Sequence, residues 1–224
     1  MHEIQKIFLK RLLINNNQKY SSLTGGYSFE DNIVFHLKQL LKKGFIEKTS
    51  NIYKISSVGI KEIAKYDLSS LTDTGFKTFF IGFVCKSGDD FLVKEHPGGK
   101  TNFYNLPSGK PHFGEKTEKA LIRIFYENTG LEVESNNFKY LSLHLKTIKT
   151  STGEVLFDDA FAIYQVIVNP SHRSKMELGR QIQWMNLEKI RDLTNKWPEL
   201  DILLVQNNRA NYLQYEFVSD YILD

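Results

Sequence analysis

An α+β protein built from two domains is what the sequence predicts, on three observations. The hydrophobic spacing of the first 66 residues runs through helices and one short hairpin, whereas the remainder interleaves strand-like alternation with helical periods. Charge divides at the same place: residues 1–66 carry eleven Lys/Arg against five Asp/Glu, a net of +6, while residues 67–224 carry eighteen against twenty-one, a net of −3. Between them lies DLSSLTDTG, Asp67 to Gly75, polar and turn-rich as linkers are. One domain is therefore expected at 1–68, a linker at 67–75 and a second domain at 76–224. With 224 residues, 41% of them hydrophobic, there is ample material for both cores.

Composition also excludes several classes. The longest apolar runs, such as FFIGFVC before Lys86, are too short to span a bilayer, and KIFLKRLLI near the N-terminus mixes charges into its apolar stretch without a small-residue cleavage site. The expected location is the cytoplasm, with no membrane partner. Cys85 is the single cysteine and sits inside an apolar run, which favours a buried structural thiol over a nucleophile. No Cys/His spacing suggests zinc, and no internal repeat or low-complexity tract is present.

In the first domain, EIQKIFLKRLLI repeats its apolar residues at helical spacing. The turn-rich NNNQKYSSLTGGYS leads into FEDNIVFHLKQLLKKG, where Ile33, Leu37, Leu40 and Leu41 form one stripe for burial. Ser28 is the expected N-cap of that helix and Gly44 its C′ stop. FIEKT and NIYKIS, parted by little more than Ser50, read as a hairpin, and VGIKEIAKY as a closing helix. Helix, short helix, helix, hairpin is the order of a winged helix-turn-helix, and SFEDNIVFHLKQLLKKGFIEK with NIYKIS resembles the second helix-to-wing part of that family. The resemblance implies double-stranded DNA as a partner. Away from the stripe, the third helix offers Asn32, Phe35, His36, Lys38, Gln39, Lys42 and Lys43. Early polar side chains on such a helix reach base edges, while lysines neutralise phosphates. The competing reading is a solvated helix face on a protein-interaction module. A homodimer is compatible with the two-fold half-sites that helix-turn-helix proteins favour.

The second domain opens with TFFIGFVCKSGDDFLVKEH, a hairpin around a Ser-Gly-Asp turn, followed by the irregular PGGKTNFYNLPSGK. Thr117 to Asn128 reads as a helix with Ala120, Leu121, Ile124 and Phe125 available for packing. YLSLHLKTI and VLFDDAFAIYQVIV are strand patterns, QIQWMNLEKIRDL a strand running into a helix, and PELDILLVQNN a further helix.

Gly109, Glu115, Arg123, Phe125, Glu127, Gly130 and Leu131 stand in the register of the Nudix box: Gly, five residues, Glu, seven residues, Arg-Glu, an apolar residue, any residue, Glu-Glu, any residue, Gly and an apolar residue. Residues 76 to 200 resemble that family, including the flanking LPSGK and FGE and a Trp184 before the last helix. The resemblance implies an α/β/α sandwich with a mixed sheet, and pyrophosphate chemistry assisted by magnesium. Carboxylates at i, i+3 and i+4 of the helix hold the metal in that family, and the corresponding residues here are Ile124, Glu127 and Asn128. An aliphatic side chain neither binds a cation nor accepts a proton, and an amide oxygen brings no charge and no general base. Magnesium binding is thus expected to be weak or absent, resting on Glu127 and Glu115. Glu127, Glu115 and Arg123 are the catalytic candidates, with an ion pair bracing loop against helix as the alternative role for Glu115 and Arg123. Gly109, Lys110, His112 and Gly114 are candidates for the phosphate-facing loop, and His112, Asp158 and Asp159 are possible replacement ligands.

These readings predict a DNA-binding regulator whose second domain senses a nucleotide or nucleotide-sugar diphosphate with little or no hydrolysis. A Nudix pyrophosphohydrolase with rearranged metal ligands, acting for example on ADP-ribose or a nucleoside triphosphate, stays open as the alternative. So does an interaction protein that uses neither site.

Overall fold

The computed structural model describes residues 1–71, 77–96, 102–204 and 212–218. The chain divides into two compact units, Met1–Phe76 and Lys77–Asp224. The end of the expected linker (72–75), the start of the irregular loop (97–101) and the end of PELDILLVQNN (205–208) lie outside the described residues.

The first unit contains α1 (Glu3–Ile14), β1 (Gln18–Lys19), α2 (Tyr20–Thr24), α3 (Ile33–Lys42), β2 (Ile46–Thr49), β3 (Ile52–Ile55) and α4 (Ser57–Ile63). One core gathers Phe8, Leu9 and Leu12 of α1, Leu23 of α2, Ile33, Leu37 and Leu40 of α3, and Ile63 of α4, with Leu41 packed at its margin. The hairpin forms with Thr49 opposite Ile52. Beyond the expectation, Gln18–Lys19 adds a strand, giving the sheet order β1-β3-β2. The start of the third helix is a correction. Phe29–Asp31 is a separate 3-10 turn that Ser28 caps, its backbone N–H donating to Asp31 Oδ2 at 2.7 Å, and Asn32 then turns left-handed at φ 51°. Asparagine tolerates that conformation, so the α-helix proper begins at Ile33. The other end matches expectation: Gly44, at φ 68°, donates to Leu41 O and Phe45 donates to Leu40 O, both at 3.0 Å, a Schellman closure.

The second unit is a mixed eight-stranded sheet. Its strands are β4 (Thr78–Ser87), β5 (Asp90–His96), β6 (Phe103–Asn105), β7 (Ser108–Gly109), β8 (Lys139–Lys149), β9 (Val155–Ile167), β10 (Ile182–Asn186) and β11 (Tyr212–Val218). The main path runs β10-β5-β4-β9-β8-β11, with β6 on β5 and β7 on β4; β4–β9 and β8–β11 are the parallel pairs. Alternation along β4 sends Ile81, Phe83 and Cys85 to one face, where α5 (Thr117–Thr129) covers them with Leu121, Ile124 and Phe125. Val84, with Phe91, Val93, Phe161 and Ile163, packs on the other face against Ile190 of α7 (Leu187–Asp192) and Leu200 and Ile202. The expected sandwich is therefore present. The helix expected at PELDILLVQNN is present over Pro198–Leu203 as a 3-10 helix. A four-residue helix α6 (Pro170–Arg173), capped by Asn169, follows β9. Burial pushes the Cys85 thiol up to about 12, in keeping with a structural role.

Candidate functional site

Helix α5 presents the boxed residues, and its position is set by one close approach. A Cβ built on Gly109 of β7 would lie 2.6 Å from Ile124 Cγ2, so glycine is what lets the strand and helix touch. Ile124 is completely buried there and belongs to the core between sheet and helix. At the end of α5, Gly130 takes φ 65° and its N–H donates to Tyr126 O.

Arg123 ties the polar residues together. Its Nε and Nη2 donate to the two oxygens of Glu115 at 2.8 and 2.7 Å, its Nη1 donates to both oxygens of Glu127 at 2.9 and 3.1 Å, and Nη2 also reaches Lys110 O. The N–H of His112 donates to Glu115 Oε2 at 2.8 Å. The Arg123 hydrogen bonds, helped by that N–H, hold the Glu115 carboxyl down at about 2. Glu115 and Arg123 thus form the brace of loop against helix that was one of their two expected roles. Gly114, at φ 77°, gives the turn its direction.

Asn128 is buried, and its Nδ2 donates to Ile124 O at 2.8 Å and Ser108 O at 3.4 Å. Its Oδ1 therefore faces the other way and accepts from Lys94 Nζ at 3.1 Å. Burial draws the Lys94 pKa below the ordinary lysine value, and Glu127 partly opposes the shift. Magnesium takes hard oxygens in an octahedral array. Here the helical positions give a core isoleucine, one carboxylate already bound by Arg123, and an amide bound by an ammonium. The residues do not fit the metal, and among the described residues no cluster of three His, Cys, Asp or Glu side chains could hold one. Of the three proposed replacements, Asp158 pairs with Lys77 and accepts from Thr147 Oγ1, His112 is exposed in the loop, and Asp159 is buried on β9.

Beside Ser108 opens a cavity of about 500 Å³, lined among others by Phe80, Lys110, Lys146, Asp159, Phe161 and Trp197. Phe80 stacks on Phe161 with centroids 4.6 Å apart, and Lys110 Nζ lies 5.1 Å above Phe80. Lys146 is almost fully buried, its Nζ 2.9 Å from Glu199 Oε1, 4.7 Å from the Phe161 ring centre and 4.4 Å from that of Trp197. Desolvation raises the Asp159 carboxyl above its usual range, and burial, backed by Lys94 and Lys146, pulls His96 on the cavity wall down to about 4. Walls of aromatic rings suit a flat ring, with Lys110 as a cation beside it, while the charge of Lys146 is balanced by Glu199. Of this group only Asp159 and Lys110 were singled out from the sequence. Lys146 was hidden by the alternation of YLSLHLKTI, in which the polar positions Ser142, His144 and Lys146 are the buried ones.

In the first unit, Asn32, Phe35, Lys38, Lys42 and Lys43 are exposed and Gln39 is partly so. His36 is a correction: it is 6% exposed and stacks on His2 at 4.2 Å, because α3 turns it toward the start of α1. Burial and then His2 lower its pKa. It is not offered to a groove in this conformation. Val34 and Phe35 are exposed apolar neighbours of the basic side chains.

No protein-family model matches the chain, and no curated protein matches it in sequence. Solved structures do resemble it. The MutT protein from Bacillus halodurans is 14% identical, with 64% of this chain and 92% of that one covered at a TM-score of 0.46. The NUDIX domain of Shewanella oneidensis NrtR, solved with ADP ribose, is 13% identical, with coverage of 67% and 96% and a TM-score of 0.46. The E. coli ORF135 protein is 15% identical over 56% of this chain and 87% of that one, at 0.41. Likeness at this level carries no function across. No helix among the described residues is long and apolar enough to cross a membrane.

Proposed function

We propose that the chain is a DNA-binding regulator in which a winged helix-turn-helix, the first unit, is joined to a Nudix-like sensor for a nucleotide or nucleotide-sugar diphosphate that it hydrolyses little or not at all. The observation that carries the reading is the face of α5. Cleaving a phosphoanhydride needs charge neutralisation and a positioned water, which carboxylate-bound metal ordinarily supplies. Ile124 is in the core, Asn128 is held by Lys94, and Glu127 is held by Arg123, so the face is built for rigidity. The aromatic cavity with Lys110 supports binding of a ring and its phosphates. For the first unit, the support is a net charge of +6 over residues 1–66 and exposed Lys38, Lys42 and Lys43 on a helix set before a β-hairpin.

The test is calorimetric titration of the full chain with ADP-ribose, ADP and nucleoside triphosphates, alongside a magnesium-dependent hydrolysis assay on the same compounds. Micromolar binding with turnover orders of magnitude below the ordinary enzyme median of about ten per second is expected. Turnover near that median on any of them returns the chain to the hydrolases.

A further inference from the structure

Lys94 stands where the helix would otherwise face a cation. It reaches from β5 to the side of α5 that carries Glu127 and Asn128, and the only hydrogen-bond partner its ammonium has among the described residues is Asn128 Oδ1 at 3.1 Å. An ammonium has three N–H groups, so two remain for incoming oxygens. The Asn128 amide is oriented by its hydrogen bond to Ile124 O at 2.8 Å, and the oxygen it turns outward is the one that the ammonium occupies. A divalent ion arriving beside Glu127 would meet a fixed positive charge with only one carboxylate to offset it. Ser108, whose carbonyl accepts from Asn128 at 3.4 Å, also lines the aromatic cavity, so Lys94 is joined to the cavity wall through Asn128 and Ser108.

We propose that Lys94 is the resident cation of this site, taking the part of a divalent metal, so that the site binds the phosphates of its ligand directly and without metal. The proposal rests on the ligand-binding reading above and deepens it, by making that binding insensitive to chelators. Lys94 is on this account a binding residue for a diphosphate group, with its free N–H groups donating to phosphate oxygens. Asn128 is its positioning residue.

The experiment uses the full chain, with inorganic pyrophosphate and ADP-ribose as anion probes and manganese as metal probe. Expected are pyrophosphate binding unchanged by EDTA, no manganese binding tighter than millimolar by electron paramagnetic resonance, and a ten- to hundredfold loss of pyrophosphate affinity in Lys94→Gln, the size of a hydrogen bond to a charged group. Lys94→Arg should retain most of the affinity, which separates loss of charge from loss of fold. The double variant Lys94→Gln/Asn128→Glu should gain manganese affinity by about tenfold or more, through its second carboxylate. Pyrophosphate binding that needs manganese, or affinity indifferent to Lys94→Gln, overturns the proposal while ADP-ribose binding leaves the sensor reading intact. Absence of binding by either anion overturns both.

Discussion

Arg123 spends all its donors on one loop and one turn of helix, and the cost of that arrangement appears at low pH. The Glu115 carboxyl is held at about 2 from an ordinary 4.5, so it contributes stability that is fully present above about 4.5 and is lost as pH falls through about 2. Thermal unfolding recorded between pH 6 and about 2 should therefore lose less stability on acidification in Glu115→Gln than in the native chain. Parallel curves would remove Glu115 from the acid response. Lys146 makes a second test. Its partner Glu199 is fully buried, so Lys146→Met strands a carboxylate and should cost about 3–5 kcal/mol, read from denaturant titration. Adding Glu199→Leu should recover most of the loss, and no recovery would mean that packing against Trp197 and Phe161 mattered more than charge. Single residues were the least legible level of the sequence. A lysine at a strand position gives no sign of whether it points to solvent or into a cavity, and helical spacing leaves His36 between a groove-facing and a core-edge place, which its contact with His2 across more than thirty positions of chain decides for the core edge.

Strands and helices were read more reliably, because burial imposes a period on them. The stripe of α3, the β2–β3 and β4–β5 hairpins and the extent of α5 follow from spacing alone. What spacing could not supply was the break at Asn32, where a local turn won over helix continuation, or the partner strands of the sheet. The contact between β7 and α5 shows the limit well. The boxed motif marks Ile124 as a lost ligand and the helical spacing marks it for packing; it does pack in the core, and what the sequence did not supply is its neighbour there, Gly109. Gly109→Ala should accordingly destabilise the unit by about 1–3 kcal/mol by overpacking, and Ile124→Ala in the same chain should relieve part of it. Reinstating a carboxylate with Ile124→Glu should cost at least about 3 kcal/mol, since the side chain has no exposure to solvent. Chemical denaturation of the three variants decides; an Ile124→Glu chain as stable as the native one would show that the helix can rotate its face outward.

The full chain joins a basic unit to an acidic one, and each proposed binding activity has its own test as well as one that joins them. DNA binding by the full chain should weaken steeply with salt, and Lys42→Ala should lower the slope of log affinity against log salt by about one without changing sequence preference. Fluorescence anisotropy at several ionic strengths measures both, and a salt-independent affinity would point to an interaction module. If ligand and DNA report to each other, ADP-ribose should change DNA affinity by about five- to a hundredfold, and DNA should change ADP-ribose affinity by the same factor. Coincident titrations with and without DNA would leave two independent binders.

The parallel pairing at the centre of the second unit also governs how the protein comes into being. Thr78 of β4 is registered with Asp159 of β9, so the middle of the sheet stays open until most of the chain has been made and has looped back. In the first unit, the hairpin closes between Thr49 and Ile52 and the helices it meets are near in sequence. Refolding from denaturant should separate accordingly, with amides of β2 and β3 gaining hydrogen-exchange protection before those of β4 and β9. During that interval the apolar strand Thr78–Ser87 has an unfilled edge, which makes it the segment by which nascent chains would associate with one another, and the one a chaperone would have most reason to cover.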